Sequence, residues 1–167
     1  KLIDLVPFNK TDFLLDGFKG TGEFYNNYPV ENPKDWCEID EGRDFFKYDK
    51  QVDYMITNCA YSTLTKTFKH CCKICKKGFG LLIGTINLSV LRYNILLDNN
   101  FSITKMHFLR VQGWFGTSVF VIIEKNKKSL ISWENDIFKM PKNENDIYQK
   151  YLSDYNKNYY ITKIKKS

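Results

Sequence analysis

Apolar positions along this chain fall in short runs. Phe13-Leu14-Leu15 ends in Asp16 and meets Gly17-Phe18-Lys19-Gly20-Thr21-Gly22, the pattern of a buried strand entering a tight, glycine-bearing loop. Residues 23–27 suit a helical segment, which Pro29 and Pro33 then bring to an end, and residues 36–39 suit a second short strand. After a polar turn, residues 52–58 read as a third strand running into Cys59-Ala60-Tyr61-Ser62. From Thr63 the period becomes helical, with Leu64, Phe68, Cys71, Cys72 and Cys75 on one side and Lys66, Lys69, Lys73 and Lys76 elsewhere. Gly78 and Gly80 are expected to end that helix and introduce a buried strand over residues 81–86. A helix over 89–97, a turn at Asp98-Asn99-Asn100 and strands over 103–110 and 118–124 complete the pattern.

Strands alternating with helices predict an α/β fold around a mainly parallel sheet, closed by the last two strands as an antiparallel, hairpin-like pair. At 167 residues the chain suits one domain, expected over residues 1–125. Residues 126–167 form a basic extension rich in Tyr and Lys, with a helix expected over 146–155 and a strand over 159–164, which packs on the domain or meets a protein partner. Composition sharpens this picture: 43% hydrophobic with 16% aromatic residues excludes a disordered chain and predicts a core rich in Phe and Tyr. Apolar runs are of strand length and too short to span a bilayer, and five irregularly spaced cysteines do not form a secreted disulfide framework, so an intracellular protein without a membrane partner is expected. The formal charge of +6, carried almost wholly by lysine, favours polyanionic partners such as nucleic acid. Abundant Lys, Asn, Ile, Tyr and Phe beside scarce Arg and Pro suggest an AT-rich coding genome, such as that of a virus, phage or protist.

Several residues carry candidate chemistry. A strand followed by glycines lets a ligand approach the backbone, so Gly20 and Gly22 suit a nucleotide-type pocket, and Glu38, at the end of the next strand, stands where α/β nucleotide binders place a carboxylate on ribose hydroxyls. Asp44-Phe45-Phe46 puts an acid, able to accept from an adenine amine, beside rings that can pack on a base. Asn58-Cys59-Ala60-Tyr61 sets an amide and an aromatic ring at the carboxyl edge of the sheet, where open α/β sheets bind substrate. Cys72-x-x-Cys75 beside His70 has metal-ligand spacing, but a tetrahedral site needs four ligands and the run lies on an amphipathic helix, so no metal is expected. Lys125-Asn126-Lys127-Lys128 and Lys163-Ile164-Lys165-Lys166 read first as solvated surface and second as phosphate contacts.

Taken together, these segments resemble the DNA adenine methyltransferases, most of all small phage- and giant-virus-type methylases, over roughly residues 12–125. Asp16-Gly17-Phe18-Lys19-Gly20-Thr21-Gly22-Glu23-Phe24 resembles their cofactor motif, and Asn58-Cys59-Ala60-Tyr61 occupies the place of their Asn-Pro-Pro-Tyr motif. The resemblance implies a Rossmann-like methyltransferase fold with S-adenosylmethionine as cofactor. It places Asp16, Phe18, Gly20 and Gly22 around the methionine part, Glu38 on the ribose, and Asp44 with Phe45 at the adenine. It also implies that Asn58 and the carbonyl of Cys59 accept from the target amine while Tyr61 stacks on the extruded base of a nucleic acid, DNA ahead of RNA. Cys59 and Ala60 replace the two motif prolines and Gly17 a third, which removes local stiffening while the hydrogen-bonding atoms remain. The sequence is therefore compatible with two functions: an adenine methyltransferase, and a catalytically inactive fold of the same kind serving as a structural or nucleic-acid-binding subunit.

Overall fold

The computed structural model describes residues 2–111, 113 and 116–132. The chain divides into a unit over Lys1–Trp133 and a second over Glu134–Ser167, and the helix expected over 146–155 and strand over 159–164 lie outside the described residues. Residues just past Lys125 are tied to the first unit: the Asn126 N–H donates to Asn100, the Leu130 N–H to Ile103, and the Tyr93 hydroxyl to the Ile131 carbonyl.

Six strands form one sheet: β1 (Leu14–Asp16), β2 (Lys34–Trp36), β3 (Val52–Thr57), β4 (Cys75–Gly84), β5 (Phe101–Leu109) and β6 (Ser118–Lys125), in the order β2-β1-β3-β4-β6-β5. The β2-β1-β3-β4 run is parallel, and β6 lies between β4 and β5, antiparallel to both, so the expected closing pair is present. The chain leaves β1 toward one side to make β2 and returns across it to make β3. That reversal opens a crevice at the carboxyl ends of β1 and β3, where sheets of this kind bind ligands.

Alternation along the strands produces two unequal faces. Leu15, Met55, Phe79, Leu81, Val119 and Val121 face α1 (Leu64–Ile74) and α2 (Val90–Asp98), whose Leu64, Phe68, Cys71 and Leu96 complete the larger core. Leu14, Tyr54, Ile56, Leu82, Phe120 and Ile122 face the other way and are covered by Ile3 and Val6 of the N-terminal segment and by Tyr28. α1 starts where the sequence places it, and α2 matches its expected span to within a residue, with the Ser89 hydroxyl capping it. No helix among the described residues is long and apolar enough to cross a membrane.

The sequence and the structure part company around β4. Cys75 belongs to the strand, and Gly78 and Gly80 lie within it rather than ending α1. Their absent side chains make room on the thinner face: a Cβ at Gly80 would lie 2.7 Å from the Phe120 ring, and one at Gly78 would strike the Ile123 carbonyl and, at 2.8 Å, Tyr54. Neighbouring rings thus fill the volume that side chains would occupy, and glycine marks a close approach inside a strand. Two smaller differences concern the links from β1 to β3. The expected helix over 23–27 is a single 3-10 turn, Tyr25–Asn27, because the next residue, Tyr28, is drawn into the core, where its hydroxyl donates to the Ile56 carbonyl (2.6 Å) and lies 3.0 Å from that of Leu15. β2 begins and ends earlier than expected: the Leu14 N–H pairs with the Pro33 carbonyl, and Glu38 turns out of line to cap the 3-10 turn Ile39–Glu41.

Candidate active site

The crevice is built from two loops on neighbouring strands. In the loop after β1, Asp16 is 1% exposed and accepts from the Thr57 hydroxyl (2.7 Å), the Tyr25 N–H (3.1 Å) and, more weakly, the Phe18 N–H (3.3 Å). Burial raises its pKa to about 6 even though these bonds oppose the shift. Asp16 therefore shapes the loop from within. The Phe18 N–H also reaches Thr57 Oγ1 at 3.1 Å, so one threonine at the end of β3 fastens both the acid and the loop it shapes.

Farther along, the Lys19 N–H donates to the Cys37 carbonyl and the Gly20 N–H to Glu38 Oε2 at 2.6 Å, binding the loop to the segment after β2. Glu38 Oε1 accepts from Asp40 N–H at 3.4 Å, which leaves carboxylate lone pairs for a further donor. Gly20 has φ +50° with open space where a Cβ would stand, whereas a Cβ at Gly22 (φ +93°) would lie 2.5 Å from the Asn26 side chain. The two glycines therefore differ: Gly22 is fixed by its own turn, while Gly20 faces free volume. The rim beside Glu38 carries Lys19, paired with Glu41 (2.5 Å) and 3.9 Å above the Trp36 ring, and Arg43, which bonds Asp35 and lies 4.0 Å over the same ring.

Asp44 caps a 3-10 turn by accepting from the Phe46 N–H, and Phe45 is buried at 3% exposure with its ring 5.0 Å from Phe18 and 4.7 Å from His70. This places Phe45 under the crevice as support for Phe18, so a base-sized ligand would have to find its packing surface elsewhere. Ile39, next to Glu38 and 64% exposed, offers such a surface.

The second loop, after β3, is looser. Asn58 is exposed, and its amide has no hydrogen-bond partner among the described residues. Cys59 is buried, and burial pushes its thiol up to about 11, so the sulfur stays protonated and is no nucleophile at neutral pH. Ala60 has φ −62° and ψ 133°, a backbone that proline would adopt without strain. Its carbonyl accepts from the N–H and hydroxyl of Thr63, starting the turn that leads into α1. Tyr61 is 45% exposed, and its hydroxyl reaches the backbone of Gly84 at the end of β4.

Asp16, Phe18, Gly20, Glu38, Asn58 and Tyr61 thus share one edge of the sheet, while Phe45 lies beneath it. Thr57, Ile39 and Tyr28 were not singled out from sequence. The position of Thr57 immediately before Asn58 was a usable signal, whereas Ile39 read as an ordinary strand residue.

No family model and no curated protein matches the sequence. Solved structures do. The ribosomal protein L11 methylase of Lactobacillus delbrueckii subsp. bulgaricus matches at TM-score 0.60 and 12% identity, over 75% of this chain and 76% of that one. TrmN of Thermus thermophilus matches at TM-score 0.54 and 16% identity over 74% of this chain, which spans about half of TrmN (47%). TrmK of M. capricolum, determined with S-adenosylhomocysteine, matches at TM-score 0.53 and 18% identity, over 98% of this chain and 83% of that one. With the strand order and the reversed β6, these similarities give the chain the Rossmann-like fold of S-adenosylmethionine-dependent methyltransferases.

Proposed function

We propose that this chain binds S-adenosylmethionine in the crevice after β1 and methylates the exocyclic amine of adenine in a nucleic acid. The observation that carries the proposal is the pairing of an open glycine loop, held by Glu38 and Thr57, with an exposed and unpartnered Asn58 amide on the adjacent strand end.

The residues present suit the cofactor. Gly20 leaves volume free at the loop, Glu38 retains acceptor capacity for ribose hydroxyls, and exposed Ile39 supplies an apolar surface for the adenine ring, with Asp44 near its amine. Asp16 and Phe18 act from behind by fixing the loop, and Phe45 supports Phe18. When bound, the cofactor supplies a sulfonium-activated methyl group. The chain's part is to position the acceptor: the Asn58 side-chain oxygen and the Cys59 carbonyl accept from the amine N–H groups, which directs its lone pair toward the crevice. The Tyr61 ring, anchored through its hydroxyl at Gly84, presents a face on which the extruded base can stack. Replacement of the motif proline by Ala60 is compatible with this role, because the backbone there already has proline's geometry.

The direct test is transfer of a labelled methyl group to adenine-containing single-stranded DNA and RNA, with adenine-free strands as controls. Asn58→Ala is expected to lower the transfer rate about a hundredfold, the cost of misplacing the acceptor, with cofactor affinity unchanged. Cofactor binding without transfer to any strand would overturn the proposal in favour of the inactive subunit, and equal transfer to adenine-free strands would exclude adenine as the target.

A further inference from the structure

α1 presents Lys66, Lys69 and Lys73 on a single face, at spacings of three and four residues. All three are exposed, and none makes an ion pair with a described residue, in contrast to Lys76 and Lys77 just beyond the helix, which pair with Asp53 and Asp12. Together with His70 and Phe46 they line a shallow groove of about 210 Å³. Lys66 is held with its ammonium 3.9 Å above the Phe46 ring, and His70 is fixed by its bond to the Tyr48 carbonyl. The imidazole is held below its usual pKa, first by burial and also by the charges of Lys73 and Lys66, so it stays neutral at pH 7 and the groove's positive charge comes from the lysines.

We infer that this face of α1 is a docking track for the sugar-phosphate backbone of a single-stranded nucleic acid segment, leading to the Asn58–Tyr61 loop. α1 starts directly after the 3-10 turn Tyr61–Thr63, so Lys66 stands at the crevice end of the track and Lys73 at the far end. From Lys66 to Lys73 the helix rises about 10.5 Å, so the three ammonium groups form a line along which successive phosphates of a strand can each meet one lysine. A lysine without an ion pair has no carboxylate to give up on binding, and exchange of bound counterions makes such contacts favourable and salt-dependent. The inference rests on the proposed function for the nature of the substrate. Phosphate chemistry is common to DNA and RNA, and the track does not choose between them.

The test uses the full chain and short fluorescein-labelled single strands of DNA and RNA of the same sequence, titrated from about 50 to about 200 mM salt, with S-adenosylmethionine affinity measured on every variant. The variant carrying Lys66→Gln, Lys69→Gln and Lys73→Gln is expected to lower the log–log salt slope by about 2, at ~0.7 per phosphate on a single strand, and to leave cofactor affinity unchanged. The corresponding triple Lys→Arg variant retains the slope. A control with the same loss of charge at exposed lysines outside α1 and outside the basic run, Lys10→Gln, Lys50→Gln and Lys105→Gln, changes the slope by less. Equal slopes in the α1 variant and the wild type, or equal losses in the α1 variant and the control, overturn the inference, as does lysine-dependent binding of polyglutamate as tight as that of the oligonucleotides. Tighter binding of RNA than of DNA would assign the 2′-hydroxyl strand as the source of the phosphates, and the reverse would assign DNA. Loss of cofactor binding by the wild type would count against the proposed function, while the slope comparison would still decide the track.

Discussion

The loops after β1 and β3 sit side by side at the same edge of the sheet and are held in opposite ways. The first is fastened at nearly every residue: Asp16 to three donors, Phe18 to Thr57, Lys19 to Cys37 and Gly20 to Glu38. The second hangs from Ala60 and the buried Cys59, with the Asn58 amide left unpaired among the described residues. A site that must hold one molecule and position another has reason to divide its rigidity this way. Hydrogen-bonding groups aimed at a ligand have to be free before it arrives, whereas the groups that shape its pocket gain by being locked.

Thr57 is where the two loops meet, and Thr57→Val should do the most damage to the difference between them. The substitution keeps shape but removes the donor to Asp16 Oδ1 and the acceptor for the Phe18 N–H, at an expected cost of about 1–3 kcal/mol in unfolding free energy. The loss should depend on pH. The folded pKa of Asp16, about 6, lies above its ordinary 3.8, so its contribution to stability is present in full below 3.8 and is lost as pH rises through about 6. The Thr57 hydroxyl favours the ionised acid and limits that loss, so the penalty of Thr57→Val should be largest above pH 6 and shrink below it. Denaturant unfolding at pH 5 and pH 7.5 measures this, and a penalty independent of pH would show that Asp16 does not depend on Thr57.

Ala60→Pro tests the second loop by stiffening it. Position 60 has proline's φ, and no backbone hydrogen bond is donated by its N–H among the described residues, so the substitution should add about 0.4–1 kcal/mol of stability by restricting the unfolded chain. Under the proposed function it should also raise the rate of methyl transfer without tightening cofactor binding. Destabilisation on thermal unfolding would mean that the loop has another shape.

Much of this arrangement was legible in the sequence because it is local. A strand, glycines, an acid at the next strand end, and Asn58 after a third strand require only order along the chain, and the structure brings them to one edge. What escaped was set by distant partners. Gly78 and Gly80 follow a helix, where glycine ordinarily signals a stop, yet their role comes from the rings of Tyr54 and Phe120 on neighbouring strands. Phe45 looked like a ligand platform and is a core residue, because Phe18 and His70 close over it. Thr57 reaches the β1 loop only because parallel pairing brings the end of β3 beside Asp16, a contact 41 residues long in sequence.

The central claim, that the β1 loop is a pocket for S-adenosylmethionine, is tested most directly by calorimetric titration of the full chain, wild type against Gly20→Asn. Position 20 has free space for a side chain and a φ of +50° that asparagine tolerates, so this variant should fold while its side chain intrudes on the ligand's volume. Saturable binding by the wild type, weakened at least about tenfold in the variant (~1.4 kcal/mol), is the expected result. No binding by the wild type at millimolar cofactor, or equal affinity in the two proteins, would contradict the assignment of this loop as the cofactor site.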